Sequence, residues 1–285
     1  MPARASSRAA ARAVSRAAAA MERDGAVVLR GLYDPRLIRR MRERVLRLHE
    51  GGALLKRGLV RDIGGRYAAV VPFEGPFLSP DFYADGRLRL LLEALLGADY
   101  RISSLEAVIA RPGACGQHQH IDGPIRFDRR VGGRVRRYRG DLSRLPPYAV
   151  TLCVPLCDLD ELNGSTEIWA GSHKSALRAR PPGARSVGRD FPAARTDGEF
   201  GQAYLFDFRV FHGGRPNLSR EPRPLLMFVF TRAWYRDPNL LDVRSGALIS
   251  PVNWRRLPEK HRALFLLSPA ARRELWASRR VSAGG

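Results

Sequence analysis

The stretch Gln117-His118-Gln119-His120-Ile121-Asp122-Gly123-Pro124 sets an imidazole and a carboxylate two residues apart. In an extended segment residues i and i+2 face the same way, so His120 and Asp122 can reach one metal ion together. The best candidate for a third ligand is His212, in Phe208-Arg209-Val210-Phe211-His212-Gly213-Gly214. Two imidazoles and one carboxylate form the facial triad of non-haem Fe(II) oxygenases, which leaves metal positions open for co-substrate and O₂. The pair alone is weak, because six His and 28 acidic residues in 285 give about 0.6 His-x-Asp/Glu matches by chance. Any one such histidine could equally be a hydrogen-bonded structural imidazole. The downstream context adds weight. His212 closes the apolar run 204–211, and eleven residues later Arg223 opens the apolar run 225–230. An arginine at the mouth of an apolar strand suits bidentate capture of a small carboxylate.

Around these residues the chain supplies short strands and a few helices. Gly25-Ala-Val-Val-Leu-Arg-Gly31 is a β-branched run between glycines and reads as a strand. Asp34-Pro35 is a helix start, with Asp as N-cap and Pro at the first helical position. Leu37, Met41, Val45 and Leu48 then form an apolar stripe at helical spacing, which ends near Gly51-Gly52. A second helix is expected over 87–96, closed by Gly97. From Tyr100 the pattern changes to short runs bounded by Gly, Pro, Asn or Asp: 100–112, 148–156, 164–170, 203–211 and 224–234. Further helices are expected over 259–267 and 269–278. Several short strands with turn signals between them argue for a sandwich or barrel. The expected architecture is therefore mainly β with flanking helices: a jelly roll, or double-stranded β-helix of cupin type, inside a helical shell. Residues 1–20, almost entirely Ala, Arg and Ser, read as a flexible or weakly helical tail, with residues 21–285 as a single domain.

Composition bounds the function. No apolar run reaches 18 residues, so no membrane span is expected. The net charge is +21, and 46 of the 49 basic residues are arginine. Charge alone would permit a nucleic-acid or membrane-surface partner. An Arg-, Ala-, Gly- and Pro-rich composition of the kind a GC-rich genome produces explains it better, so nucleic acid is not the expected partner. Cys115, Cys153 and Cys157 form neither an even disulfide framework nor a zinc spacing, which fits reduced thiols in a cytoplasmic protein. The segment 126–144 holds eight arginines and reads as a long loop. It is either a solvated surface or a lid whose guanidiniums meet an anionic or carrier-bound small molecule.

With these pieces assembled, the chain resembles the phytanoyl-CoA dioxygenase family of Fe(II)- and 2-oxoglutarate-dependent oxygenases. The matching residues are Asp24-Gly25-Ala-Val-Val-Leu, Gln117-His118-Gln119-His120-Ile121-Asp122, Asn163-Gly164 with Gly171-Ser172-His173-Lys174, and His212-Gly213-Gly214-x-x-Asn217-x-Ser219-x-x-x-Arg223. They span roughly residues 22–235 and are specific in combination. The resemblance implies that His120, Asp122 and His212 bind Fe(II) and that Arg223 pairs with the far carboxylate of 2-oxoglutarate. Members often carry a small polar group just after the distal histidine; Gly214 stands there, so Ser219 or Thr151 would take its place. Gln117 would touch the co-substrate. Retention of Asp122, where related halogenases place a small residue, implies hydroxylation or another oxidation of a substrate C–H, coupled to decarboxylation of 2-oxoglutarate by O₂. A small-molecule substrate in a bacterial biosynthetic pathway is expected.

Two other readings stay open at this level. His118-x-His120-x-Asp122 is similar to the His-x-His-x-Asp of binuclear metallohydrolases, although Gly123 stands where those enzymes usually carry another histidine. A basic, non-enzymatic barrel that binds nucleic acid would explain the charge but not the order His-x-Asp, His, Arg.

Overall fold

Strands of this chain alternate between two buried environments, and that alternation organises the molecule. The computed structural model describes residues 2–52, 60–123, 129–131, 134–136, 145–174, 190–236 and 246–283. In chain order the elements are α1 (Pro2–Asp24), β1 (Ala26–Leu29), α2 (Pro35–Glu50), β2 (Val60–Ile63), β3 (Arg66–Val70), α3 (Gly86–Leu96), β4 (Arg101–Ala110), β5 (Arg129–Val131) and β6 (Arg134–Arg136). They continue as β7 (Ala149–Pro155), β8 (Thr166–Trp169), β9 (Ala193–Arg195), β10 (Ala203–Asp207), β11 (His212–Gly214), β12 (Arg223–Thr231), α4 (Pro251–Arg256) and α5 (Pro269–Ala283). The large sheet runs β1-β10-β7-β12-β4-β3-β2 and the small one β11-β8-β9, with antiparallel pairing throughout both. This is the expected jelly roll with helices outside it.

The large sheet is covered on both faces, which is why β7 is buried along its whole length. Val150, Leu152 and Val154 of β7 join Leu205, Leu226, Phe228 and Phe230 in the main core. That core also takes Met41 and Val45 of α2 and Leu91 and Leu92 of α3. The alternate residues Thr151, Cys153, Tyr204, Phe206 and Leu225 face the other way, toward the small sheet. The period-2 geometry of a strand makes this division. The helix on Asp34 forms as expected: its carboxylate accepts from the Arg36 N–H at 2.7 Å, and Leu37, Ile38, Met41, Val45 and Leu48 are buried.

Four expectations are corrected. The Ala/Arg-rich stretch read as a flexible or weakly helical tail belongs to the long helix α1, whose Ala17 and Met21 are buried in the main core rather than left as a tail. Alanine has the highest helix propensity, and Val14 and Ala18 pack against the core beside buried Ala17 and Met21, which docks the helix. The run 204–211 is two elements rather than one strand. Asp207 ends β10 by accepting from the Arg209 N–H at 2.9 Å, and Val210 N–H closes a turn on the Asp207 carbonyl at 2.9 Å. This turn carries the chain from the large sheet to the small one. The helix expected over 259–267 is a single turn, Glu259–Arg262. Residues 264–266 then run extended and bracket Ile102 of β4 with two backbone bonds, Ile102 N to Leu264 O at 2.6 Å and Leu266 N to Ile102 O at 2.9 Å. Finally, the segment expected to be a loop contains the ribbon β5–β6. The remainder of 126–144, and its arginine side chains, lie outside the described residues.

Candidate metal and co-substrate site

His120 and His212 are brought together by backbone. Each donates its N–H to the other's carbonyl, at 3.0 and 2.9 Å, as one isolated antiparallel bridge. In such a doubly bonded pair the two side chains project from the same face. Two residues on, the Asp122 N–H bonds the Phe208 carbonyl at 3.1 Å, which holds the carboxylate beside the imidazoles. The extended segment expected over 117–124 is thus ordered by this bridge and not by membership of a long strand. One ligand atom from each of His120, Asp122 and His212 lies within 4.8 Å of the others, and His212 Nε2 is 3.4 Å from Asp122 Oδ1.

Supporting contacts fix the donor atoms. His120 Nδ1 meets the His118 carbonyl at 2.8 Å and His212 Nδ1 meets the Val210 carbonyl at 3.1 Å. Both Nδ1 atoms therefore carry hydrogen, and both Nε2 lone pairs are left for a cation. Thr151 Oγ1 donates to Asp122 Oδ2 at 3.1 Å, leaving Oδ1 on the imidazole side. Phe206 packs on the His212 ring with centroids 4.5 Å apart. Burial, reinforced by His212, pushes the His120 imidazole down to about 4, so it is neutral and able to coordinate. Burial opposes ionisation of Asp122, but His212, His120 and Thr151 outweigh it and hold the carboxylate below its ordinary value. Burial likewise opposes charge on His212, and Asp122 with the Val210 carbonyl outweighs it and raises that imidazole. The donor set and its second contacts suit a divalent ion of the Fe(II) type.

The cluster opens into a cavity of about 610 Å³ whose floor is the inner face of the large sheet. Arg223, at the start of β12, lines it with 3% of its surface exposed. Its Nε and Nη1 have no partner among the described residues. A second guanidinium, Arg66 at the start of β3, lines the same cavity at 2% exposure. Arg66 Nε and Nη2 donate to the Cys115 carbonyl at 3.1 and 2.7 Å, and Nη2 also to the Gly214 carbonyl at 3.2 Å, whereas Nη1 is unpaired. Register explains the pairing. Arg66 and Arg223 both stand opposite Ala110 of β4, from its two sides. All three side chains therefore share one face, with the arginine Cα atoms about 10 Å apart over a bare methyl. Burial lowers the Arg66 guanidinium to about 10 and the charge of Arg223 adds to the effect; burial likewise lowers Arg223. Among the described residues neither forms an ion pair with a carboxylate. Two buried guanidiniums with orphaned N–H groups fit an incoming carboxylate.

The sequence reading missed Arg66. The signal was present, since Gly64-Gly65-Arg66-Tyr67-Ala68-Ala69-Val70 places an arginine at the head of an apolar strand just as Arg223 stands. Among 46 arginines it did not stand out. Gln117 lines the cavity, with Oε1 accepting from the Gly214 N–H at 2.9 Å. Thr151 reaches Asp122 rather than a co-substrate position. Ser219 does not line the cavity: its hydroxyl bonds Asn217 Oδ1 at 2.7 Å and the Glu221 carbonyl at 3.0 Å. Buried Asn217 in turn donates to the Ala110 carbonyl at 3.0 Å, so Ser219 and Asn217 brace the turn that delivers Arg223. Nor does a serine hydroxyl at Gly214 need replacing. A Cβ there would lie 2.7 Å from Gln117 Oε1 and 3.0 Å from Arg66 Nη1, so the arginine occupies that space itself. Gly164, at φ +77°, is required because a Cβ would come within 2.1 Å of the Pro216 carbonyl. His173 lies apart from the ligand cluster, with Nε2 at 3.2 Å from the Glu22 carbonyl. His118 is exposed and outside the ligand cluster, so the binuclear reading finds no second site among the described residues.

Ectoine dioxygenase of Nocardia farcinica is 25% identical over 237 residues, covering 73% of this chain and 74% of that protein. The crystal structure of EctD from S. alaskensis with 2-oxoglutarate and 5-hydroxyectoine superposes with a TM-score of 0.61 at 19% identity, over 78% of this chain and 77% of that one. The non-haem α-ketoglutarate-dependent epimerase SnoN from nogalamycin biosynthesis gives 0.58 at 19% identity, over 79% and 83%. At these identities the two structures speak to the fold. The family model for phytanoyl-CoA dioxygenase matches residues 21–225, from the end of α1 to the first residues of β12. The chain belongs to the phytanoyl-CoA dioxygenase family, whose members are non-haem iron enzymes that use Fe(II), 2-oxoglutarate and O₂.

Proposed function

We propose that this protein oxidises an unactivated C–H bond of a small molecule, with hydroxylation as the outcome, in a tailoring step of bacterial biosynthesis carried out in the cytoplasm. The observation that carries the reading is the two-ended cavity. A His–Asp–His cluster lies at one end, and two buried, uncompensated guanidiniums lie at the other. A dicarboxylate with a keto acid at one end matches both. His120 Nε2, Asp122 Oδ1 and His212 Nε2 would hold Fe(II), and Arg223 with Arg66 would hold the far carboxylate. Bound iron supplies the centre at which O₂ is reduced while 2-oxoglutarate loses CO₂ and becomes succinate.

The chain's own residues perform the positioning. The Nδ1–carbonyl bonds of His120 and His212 hold both rings, so that their Nε2 atoms would be free for a bound cation. Thr151 keeps Asp122 from rotating both oxygens onto it. Arg66 is anchored to backbone carbonyls, so only its free Nη1 edge is offered to the ligand. Apolar Ile121, Phe208, Met227 and Val229 line the remaining walls and limit the water that reaches the reacting carbon. Epimerisation, the reaction in SnoN's description, uses the same co-substrates and is the alternative outcome.

The direct test is an anaerobic titration of metal-free protein with Fe(II) and then 2-oxoglutarate, watching for the weak visible charge-transfer band of the chelated keto acid. The reading expects the band in the wild type and its loss in His212→Ala. Uptake of two zinc ions with no band would instead direct attention to hydrolase chemistry at His118.

A further inference from the structure

The turn between β10 and β11 reaches all three candidate ligands. Its Phe208 carbonyl accepts the Asp122 N–H at 3.1 Å, and its Val210 carbonyl accepts from His212 Nδ1 at 3.1 Å. His212, where the turn ends, exchanges both backbone bonds with His120. The carbonyls that hold ligands thus belong to residues 208 and 210. The residues that alternate with them, 207 and 209, hold each other. Arg209 Nε and Nη2 donate to Asp207 Oδ1 and Oδ2 at 2.8 and 2.7 Å, and the Arg209 N–H donates to Oδ1 at 2.9 Å. The remaining guanidinium nitrogen, Nη1, donates to the Leu145 carbonyl.

This ion pair is not needed to close the turn. Val210 N–H already bonds the Asp207 carbonyl at 2.9 Å, Asp207 N–H bonds the Gly25 carbonyl at 2.9 Å, and Phe208 N–H bonds the Ala149 carbonyl at 3.2 Å. Backbone alone therefore ties the turn to β7 and to the residue before β1. The pair is nevertheless sealed from water, with the Asp207 side chain 1% and the Arg209 side chain 11% exposed. Burial opposes charge on Arg209, and the Asp207 carboxylate outweighs it and raises the guanidinium. A buried ion pair gains little over apolar groups of the same size, because desolvation offsets the attraction. A two-bond arginine–carboxylate contact does fix direction as well as distance. A second link runs the same way. The Arg209 guanidinium lies 5.7 Å from the centroid of the Tyr148 ring, whose hydroxyl donates to the carbonyl of Gly123, the residue after Asp122. Arg209 thus meets the Asp122 segment along two routes, through the Phe208 carbonyl and through Tyr148.

We propose that Arg209, clamped to Asp207, is a positioning residue of the metal centre. It fixes the direction of the Phe208 and Val210 carbonyls, and through them the angle at which Asp122 and His212 would meet the ion. Arg209 is not among the described residues that line the cavity, so it acts through the ligands and not on the co-substrate. This rests on the oxygenase reading, because it needs the three ligands to hold Fe(II).

The test compares Arg209→Gln, Arg209→Lys and Asp207→Asn with Leu92→Ala, a control in the main core on the other face of the large sheet. Each full-length protein is freed of metal, and its thermal unfolding is recorded. It is then titrated with Fe(II), without O₂ and with saturating 2-oxoglutarate, by the charge-transfer band of the chelated keto acid. Arg209→Gln and Asp207→Asn should weaken Fe(II) by about tenfold or more and move the band maximum, as loss of a contact behind a metal ligand does. Arg209→Lys keeps the charge and one bond and should fall between them and the wild type. Leu92→Ala should lower the Tm yet keep wild-type Fe(II) affinity and an unmoved band. If Arg209→Gln does not fold, the isosteric Asp207→Asn and the charge-keeping Arg209→Lys carry the test. Wild-type affinity with an unmoved band in the folded variants overturns the proposal, and so does an equal loss in Leu92→Ala. If the wild type itself gives no band, the oxygenase reading falls; if it does and the variants match it, only the role of Arg209 falls.

Discussion

The two ends of the cavity are built by different means. At the metal end, short irregular segments 92 residues apart are joined by one backbone bridge, and each ligand is then aimed by a carbonyl or a threonine. At the arginine end no local turn is involved. Strands β3, β4 and β12 of one rigid sheet place two guanidiniums opposite the same alanine. The first arrangement tolerates strand slippage elsewhere but depends on a few side-chain atoms. The second depends on register, because a one-residue slip in either strand would turn its arginine to the helical core. The difference teaches that the metal end fails through its ligands and the arginine end through its charges, so each can be disabled while the other survives.

The largest expected effect separates the ends outright. His212→Ala should bring iron retention and turnover to background while the protein stays folded, as read by metal content and circular dichroism. Retained stoichiometric iron in that variant would remove His212 from the ligand set. Next, Arg223→Ala should keep iron but weaken 2-oxoglutarate by about 10–100-fold, the loss of a charge-assisted contact of about 1.5–3 kcal/mol. Arg66→Ala should act in the same direction, with partial recovery in Arg66→Lys. The double variant should lose less than the two singles combined, because both groups meet one carboxylate. Strict additivity would show that Arg66 serves the fold alone. A smaller change is expected for Thr151→Val, about tenfold in iron affinity with 2-oxoglutarate selectivity unaltered, since it removes an orienting contact and not a ligand. Smaller again, Gly214→Ala should push against Arg66 Nη1 and Gln117 Oε1 and raise the 2-oxoglutarate Kd a few-fold, leaving iron affinity as it was. Met21→Ala, in the core under α1, should shift neither affinity yet lower stability by about 2–5 kcal/mol in thermal unfolding. An unchanged Tm would show that α1 is not docked on the core and would return it to the flexible or weakly helical tail that its composition first suggested.

Much of the metal end was legible because its information is local. His120 and Asp122 are two residues apart, and His212 stands before a Gly-Gly pair at the close of an apolar run. Asp34-Pro35 announced α2 for the same reason, a cap being a matter of adjacent residues. Errors fell where tertiary contacts override local preference. The apolar run 204–211 reads as one strand, but the Asp207 carboxylate captures the Arg209 N–H and breaks it in two. Ser219 has the right residue type for a ligand contact, but Asn217 claims its hydroxyl.

By itself, then, the sequence determined the Fe(II)/2-oxoglutarate enzyme class and the jelly-roll class and picked out His120, Asp122, His212 and Arg223 as site candidates, since side-chain chemistry and period-2 patterning are written in neighbouring positions. Only the tertiary structure decided that Arg66 joins Arg223 and that Thr151 serves Asp122. Those facts depend on which strands become neighbours and in what register. Many distant contacts set that register together, and no spacing along the chain records it.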